Sequence, residues 1–235
     1  MHDDFTIVVL ISGRGSNLKS IIDNASHYRV KMVISNNPEA SGLQHAREAG
    51  IPGMSLNRAD FSSLREFKLA ILKEVQAQSP SLVALAGFMQ VLPPEFIEAF
   101  PGRIVNIHPA LLPAYPGLDT HKRALEAGEK VHGCTVHLVD CGVDSGPIIA
   151  QAAVEVLPQD NEHTLAARVL GFEHRLYPWV INSIASGNLR LSAAGVSFSP
   201  ECLQEASALG FRLKHNPLPA LPPAHTRAGE TDIYP

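Results

Sequence analysis

The chain has 235 residues, of which 45% are hydrophobic and 18% charged, with a formal net charge of −4. That apolar content excludes wholesale disorder, and the length fits one large domain or two small ones. Lys and Arg are scattered singly, so no polyanion-binding surface, and hence no nucleic-acid partner, is expected.

Cys134, Cys141 and Cys202 are odd in number and form no CxxC pair. This argues against a disulfide framework and a zinc site, and fits a reducing, cytoplasmic compartment. The acidic start before Phe5 lacks the basic residues of a signal peptide. The apolar run that follows is far short of the ~20 residues of a membrane span.

That run, Phe5 to Ile11, is continuous and β-branched, which predicts a strand covered on both faces. Gly13-Arg14-Gly15-Ser16-Asn17 turns the chain, and Leu18, Ile21, Ile22 and Ala25 then follow helical spacing. Lys31 to Ser35 reads as a second strand, closed by Asn36-Asn37-Pro38. A helix over Ser41 to Ala49 stops at Gly50 and Pro52. A short strand at Met54 to Leu56 precedes a helix from Phe61 to Gln78, whose buried stripe is Leu64, Phe67, Ile71, Leu72 and Val75. Leu82 to Ala86 and Arg103 to Ile107 are further strands.

Strands and helices alternating in this way predict βαβ units and an α/β fold. The expected sheet is Rossmann-like and open, parallel in the N-terminal half, with helices on both faces. His132 to Val139 and Ile148 to Val156 are strand-like runs separated by turn residues, so some antiparallel pairing is expected in the C-terminal half. A long helix covers Thr164 to Ser186, carrying Leu165, Val169, Phe172, Leu176, Val180, Ile181 and Ile184. From His215 the chain is proline-rich and expected to be loose or draped over the surface.

Three motifs can carry chemistry. In the first turn, glycines and a helix N-terminus offer backbone N–H groups to an anion, with Ser16 and Asn17 as added donors. A tight turn with Ser16 as helix cap fits the same residues. The second motif is Asn106-Ile107-His108-Pro109-Ala110-Leu111-Leu112-Pro113. Asn106 and His108 stand two apart at the end of a predicted strand, so they share a face at the carboxyl edge of the sheet, where open α/β folds bind ligands. An amide donor and an imidazole together suit oxyanion stabilisation and proton transfer, although a histidine at a strand end also serves for packing. The third is Asp144-Ser145-Gly146-Pro147, where Asp144 either closes a turn or orients and charges His108.

Four segments in this order resemble the phosphoribosylglycinamide formyltransferases: SGRGSN after the first strand, LAGFMQVL from Leu85 to Leu92, NIHPALLPAYPG from Asn106 to Gly117, and VDSGPIIAQ from Val143 to Gln151. The likeness runs from about Phe5 to Leu191. It implies a formyltransferase fold over residues 1–191, with 1–100 as the phosphate and nucleotide half, 101–191 as the catalytic and folate half, and 192–235 as a partly flexible extension.

The resemblance also implies formyl transfer from the cosubstrate 10-formyltetrahydrofolate to the amine of glycinamide ribonucleotide. Asn106, His108 and Asp144 match the family's catalytic residues. Gly15, Ser16 and Asn17 match its ribonucleotide phosphate loop, and Glu173 matches a residue near the substrate amine. By its own helix pattern Glu173 reads as a solvated face. Met89, Gln90, Val91 and Leu92, with Asn106, match the folate-binding segment, and Arg65 the contact to the folate tail. Ala110 departs from the family's usual Ser. Only small-molecule partners are implied, with no metal, in a monomer or homodimer.

Related readings are a methionyl-tRNA formyltransferase, a formyltetrahydrofolate hydrolase, a sugar-amine formyltransferase or a non-catalytic folate-binding module. The tRNA enzyme would carry a further basic C-terminal domain and Arg-Gly where Pro116-Gly117 stands, and the hydrolase an extra N-terminal domain. A binding module would not be expected to keep all of Asn106, His108 and Asp144. A dinucleotide oxidoreductase would show the full GxGxxG, and an acidic residue where Asn36-Asn37 stands.

Overall fold

A computed structural model describes residues 5–192 and 195–213. The proline-rich stretch from His215 lies outside the described residues.

The N-terminal half alternates as its apolar pattern predicts. Strands β1 (Thr6–Ile11), β2 (Arg29–Ser35) and β3 (Gly53–Ser55) are joined by helices α1 (Ser16–Asp23) and α2 (Gly42–Glu48). Helix α3 (Leu64–Gln78) leads to β4 (Leu82–Leu85), and α4 (Pro94–Ala99) to β5 (Ile104–His108). All five strands run parallel. The helix expected from Phe61 begins only at Leu64, because the Ser63 side chain caps it by accepting the Glu66 N–H at 3.1 Å. Glu66 reaches back to the Ser62 N–H.

After α5 (Thr120–Glu126), strands β6 (Val131–Leu138) and β7 (Ile148–Glu155) add antiparallel pairing as expected. Helix α6 (Glu162–Ala185) follows, then a hairpin of β8 (Leu189–Ser192) and β9 (Gly195–Phe198), helix α7 (Pro200–Leu209) and β10 (Phe211–Leu213). β10 pairs antiparallel with β7, giving the sheet order β10-β7-β6-β5-β4-β1-β2-β3.

Strand alternation divides the core. Ile7, Val9 and Ile11 of β1 lie on the face whose core also takes Leu18 and Ile21 of α1, Val169 and Val180 of α6, and Ala206 of α7. Val8 and Leu10 face the opposite way, onto Phe67, Ile71 and Val75 of α3 and Phe96 of α4. Helices therefore cover both faces. Tyr177 of α6 is fully buried, and its hydroxyl lies 3.0 Å from the carbonyls of Leu85 and Val105, fixing α6 beneath β4 and β5. β1 sits beside β4 rather than between sequence neighbours, so the chain reverses direction across the sheet there. A crevice at such a point is where open α/β sheets bind ligands.

Candidate active site

Gly13 to Asn17 follow β1 directly. Gly15 caps α1 in the left-handed region, at φ 71°, with no side-chain cap, so the alternative of Ser16 as helix cap is not realised. A Cβ on Gly15 would stand 2.7 Å from the Cα of Gly42, so only glycine allows this approach of loop and helix α2.

Asn17, in the first turn, points back under the sheet, where its Nδ2 donates to Glu173 Oε2 of α6 at 2.6 Å. Glu173 is therefore not on a solvated face: it is 7% exposed, and burial pushes its carboxyl above the ordinary range despite the Asn17 amide. The signal was present in the helix, since Glu173 lies four residues from both Val169 and Tyr177, on the buried stripe.

The loop after β4 is tied to the loop after β1. Ser12 N–H donates to the Gly87 carbonyl at 3.1 Å, and Ser12 Oγ accepts the Met89 N–H at 2.7 Å. Ser12 Oγ–H in turn donates to Asn36 Oδ1, so the Asn36-Asn37 corner holds both loops. Met89 itself is exposed. Gln90, Val91 and Leu92 line an open cleft with Leu85, Phe88 and Val139 as apolar wall, and Asn106, His137 and Asp144 as polar end. Asp140, Gly142 and Val143 complete its rim. Arg65 does not line the cleft. It is exposed in the first turn of α3 and ion-paired with Glu95 of α4.

Asn106 and His108 are at the end of β5, and Asp144 comes over from the β6–β7 connection to meet both. His108 Nδ1 lies 3.2 Å from Asp144 Oδ2, and Asn106 Nδ2 lies 3.5 Å from Asp144 Oδ1. The other ring nitrogen, His108 Nε2, donates to the Tyr115 carbonyl at 2.8 Å. Asp144 also accepts the Gly117 N–H at 2.9 Å. Tyr115 and Asp144 both sit in the left-handed region, at φ 56° and 50°, a conformation that costs energy outside glycine and aims both acceptors at His108.

Both His108 nitrogens face acceptors, which suits a protonated ring, but burial pulls the other way. It pushes the imidazole below its ordinary value, against the Asp144 carboxylate and the Tyr115 carbonyl. Burial alone would raise Asp144. The neighbouring His108 ring and the Gly117 N–H hold the carboxyl below its ordinary value against it.

His137, which no motif in the sequence singles out, is 2% exposed and lies among these residues. Its strand is buried on both faces and shows no alternation, so only the register that sets His137 opposite Asn106 reveals it.

A formyl transferase family model matches residues 5–181. The chain belongs to the formyl transferase family. It is 46% identical over 189 residues to the phosphoribosylglycinamide formyltransferase of Escherichia coli, covering 79% of this chain and 89% of that one. It is also 46% identical over 192 residues to the trifunctional purine biosynthetic protein adenosine-3 of Drosophila melanogaster, where the match covers 79% of this chain but spans only 14% of that protein's length. Among solved structures, glycinamide ribonucleotide transformylase 1 of Symbiobacterium toebii superposes with a TM-score of 0.80 at 45% identity, covering 84% of this chain and 95% of that one. This family member shares their mixed open sheet. Among the described residues, no helix is long and apolar enough to cross a membrane, and no cluster of His, Cys, Asp and Glu is placed to hold a metal.

Proposed function

We propose that this chain transfers the formyl group of 10-formyltetrahydrofolate to the amine of glycinamide ribonucleotide, a step of purine synthesis. The observation that carries the reading is that Asp144 lies within 3.5 Å of both Asn106 and His108, with Asn106 and Asp144 at the polar end of an apolar cleft. The cleft suits a flat heteroaromatic donor: Phe88, Val91, Leu92 and Val139 give it an apolar wall, and the backbone at Met89 is tied to Ser12. When bound there, the donor supplies an electrophilic formyl carbon.

The acceptor is placed on the other side of the β1–β4 reversal. Gly15, Ser16 and Asn17 give its phosphate the N-terminus of α1, and the buried Glu173 carboxylate with the Asn17 amide holds its neighbouring polar groups. The neutral amine needs no nucleophile from the protein. Asn106 stabilises the oxygen on which negative charge develops, and the His108 Nε2–H joins it by leaving the Tyr115 carbonyl. Asp144 keeps His108 oriented and offsets the burial that would discharge it. An imidazole whose acidity is raised by burial passes its proton on readily, which suits protonation of the leaving nitrogen. Much of the acceleration comes from holding the two substrates together, with effective molarities on the order of 10⁵ M or more. Arg65, exposed on α3, is assigned to the donor's charged tail, for which it must leave Glu95.

The test is an absorbance assay with 10-formyl-5,8-dideazafolate and glycinamide ribonucleotide. Deformylation is expected only when the ribonucleotide is present, and His108→Ala is expected to lower kcat by roughly 10²–10³. Deformylation without the ribonucleotide makes the chain a hydrolase and sinks the proposal.

A further inference from the structure

We propose that His137 is a positioning residue that fixes which way the Asn106 carboxamide faces, an inference that rests on the formyl-transfer reading of this site. A carboxamide has a donor end and an acceptor end of almost the same shape, and only the donor end stabilises an oxyanion. Something in the site must therefore tell the two apart.

His137 does so through its tautomer. Its Nδ1 lies 2.8 Å from the Leu138 carbonyl oxygen, which can only accept, so Nδ1 carries the hydrogen. In the neutral ring Nε2 is then a bare lone pair, 3.2 Å from Asn106 Nδ2 and 3.5 Å from Asp144 Oδ1, so an Asn106 N–H must stand between two electron-rich atoms. An amide N–H pointed at that lone pair makes a hydrogen bond. The flipped amide would set its carbonyl oxygen against the same lone pair and close to the Asp144 carboxylate, two repulsions in a buried place.

The second Asn106 N–H is held only by Asp144 Oδ1, at 3.5 Å, the outer limit of a hydrogen bond. It is free to move to a stronger acceptor, the charged oxygen of the reacting formyl group. One hydrogen is thus anchored by His137 and the other is kept for the reaction. The anchor is itself rigid, because His137 is buried in β6 directly opposite Asn106 in the antiparallel register. Its ring orientation depends on the Leu138 carbonyl, which lies where the Gly146 backbone passes with no room for a Cβ.

The first measurement needs no substrate. The imidazole ¹⁵N spectrum of labelled protein at neutral pH is expected to show His137 protonated on Nδ1 and bare on Nε2. The opposite tautomer overturns the proposal whatever the reaction is. The second measurement is a kinetic cycle between His137→Phe and Asn106→Ala, in which Phe keeps the flat ring and removes the lone pair. His137→Phe is expected to lower kcat by about 10- to 100-fold with the donor KM changed less than about threefold, and to cost nothing further in the Asn106→Ala background.

His137→Gln, whose amide oxygen can accept from Asn106, is expected to recover kcat to within about fivefold of wild type. Should the Phe variant not fold, His137→Leu takes its place in the cycle. Equal losses with and without Asn106, or no recovery in His137→Gln, would show that His137 acts some other way. If wild-type protein transfers no formyl group at all, the functional reading fails, and the spectrum still decides the tautomer.

Discussion

Asn17 and Glu173 show how much rests on one contact between residues far apart in the chain. Asn17 Oδ1 is buried with no hydrogen-bond partner, so its amide is satisfied only through the Nδ2 contact to Glu173. That unmet acceptor, beside a buried carboxylate, is a cost the free protein bears and a donor-bearing ligand would relieve. Glu173→Ala would leave both ends of the Asn17 amide unmet, a loss of about 1–3 kcal/mol in place of a net hydrogen bond. The expected outcome is a ribonucleotide KM raised about tenfold or more, with kcat falling much less, read from steady-state kinetics at saturating donor. Glu173→Gln keeps an oxygen for Asn17 and is expected to fall between wild type and the Ala variant. A change in the donor KM alone would show that Glu173 belongs to the other substrate.

At the scale of elements, the connection between β6 and β7 carries Asp144 into the site, and its two glycines differ in what they permit. A Cβ on Gly146 would run into the Leu138 carbonyl, which is backbone and already receives the His137 ring. A Cβ on Gly142 would meet mainly the Ser145 hydroxyl, which can rotate away from its bond to Asp140. Gly146→Ala is therefore expected to cost about 1–3 kcal/mol in urea unfolding, together with most of the activity, and Gly142→Ala less than about 1 kcal/mol. Equal effects would mean that the loop is soft enough to absorb either.

The elements legible in the sequence were those with a strong period. The buried runs of β1 and β4 and the stripe of α3 needed no tertiary knowledge. Helices α4 and α5 did, because six or seven residues hold under two turns of pattern and are stabilised by packing. β10 is only three residues long and becomes a strand by pairing with β7. In the site, Asn106 and His108 could be placed from their spacing on one strand. The approach of Asp144, the burial of Glu173 and the part of His137 come from register and loop closure, which no local spacing encodes.

At the scale of the molecule, the histidines of the C-terminal half make stability depend on pH. Tyr115, His121 and His132 pack edge to face beside the site, with ring centroids 6.2 and 5.2 Å from that of His132. Burial, reinforced by the neighbouring His121, pushes His132 from 6.5 down to about 4, and its Nε2 has no hydrogen-bond partner. His108, His121 and His174 are lowered in the same sense, each chiefly by burial. A histidine whose folded value is depressed binds its proton more readily in the unfolded chain, so stability rises with pH through the interval between the two values. For His132 that interval runs from about pH 4 to 6.5, and acidification across it costs up to about 3 kcal/mol. Asp144, also depressed, adds a further loss only below its ordinary value of 3.8, while Glu173, raised by burial, works in the opposite direction. Urea midpoints measured from pH 7 to 4.5 are expected to fall steadily. His132→Phe, which keeps the ring packing and removes the titrating nitrogen, is expected to flatten that fall by about half or more, even if it shifts the whole curve. A variant whose midpoints fall in parallel with wild type would place the acid sensitivity elsewhere.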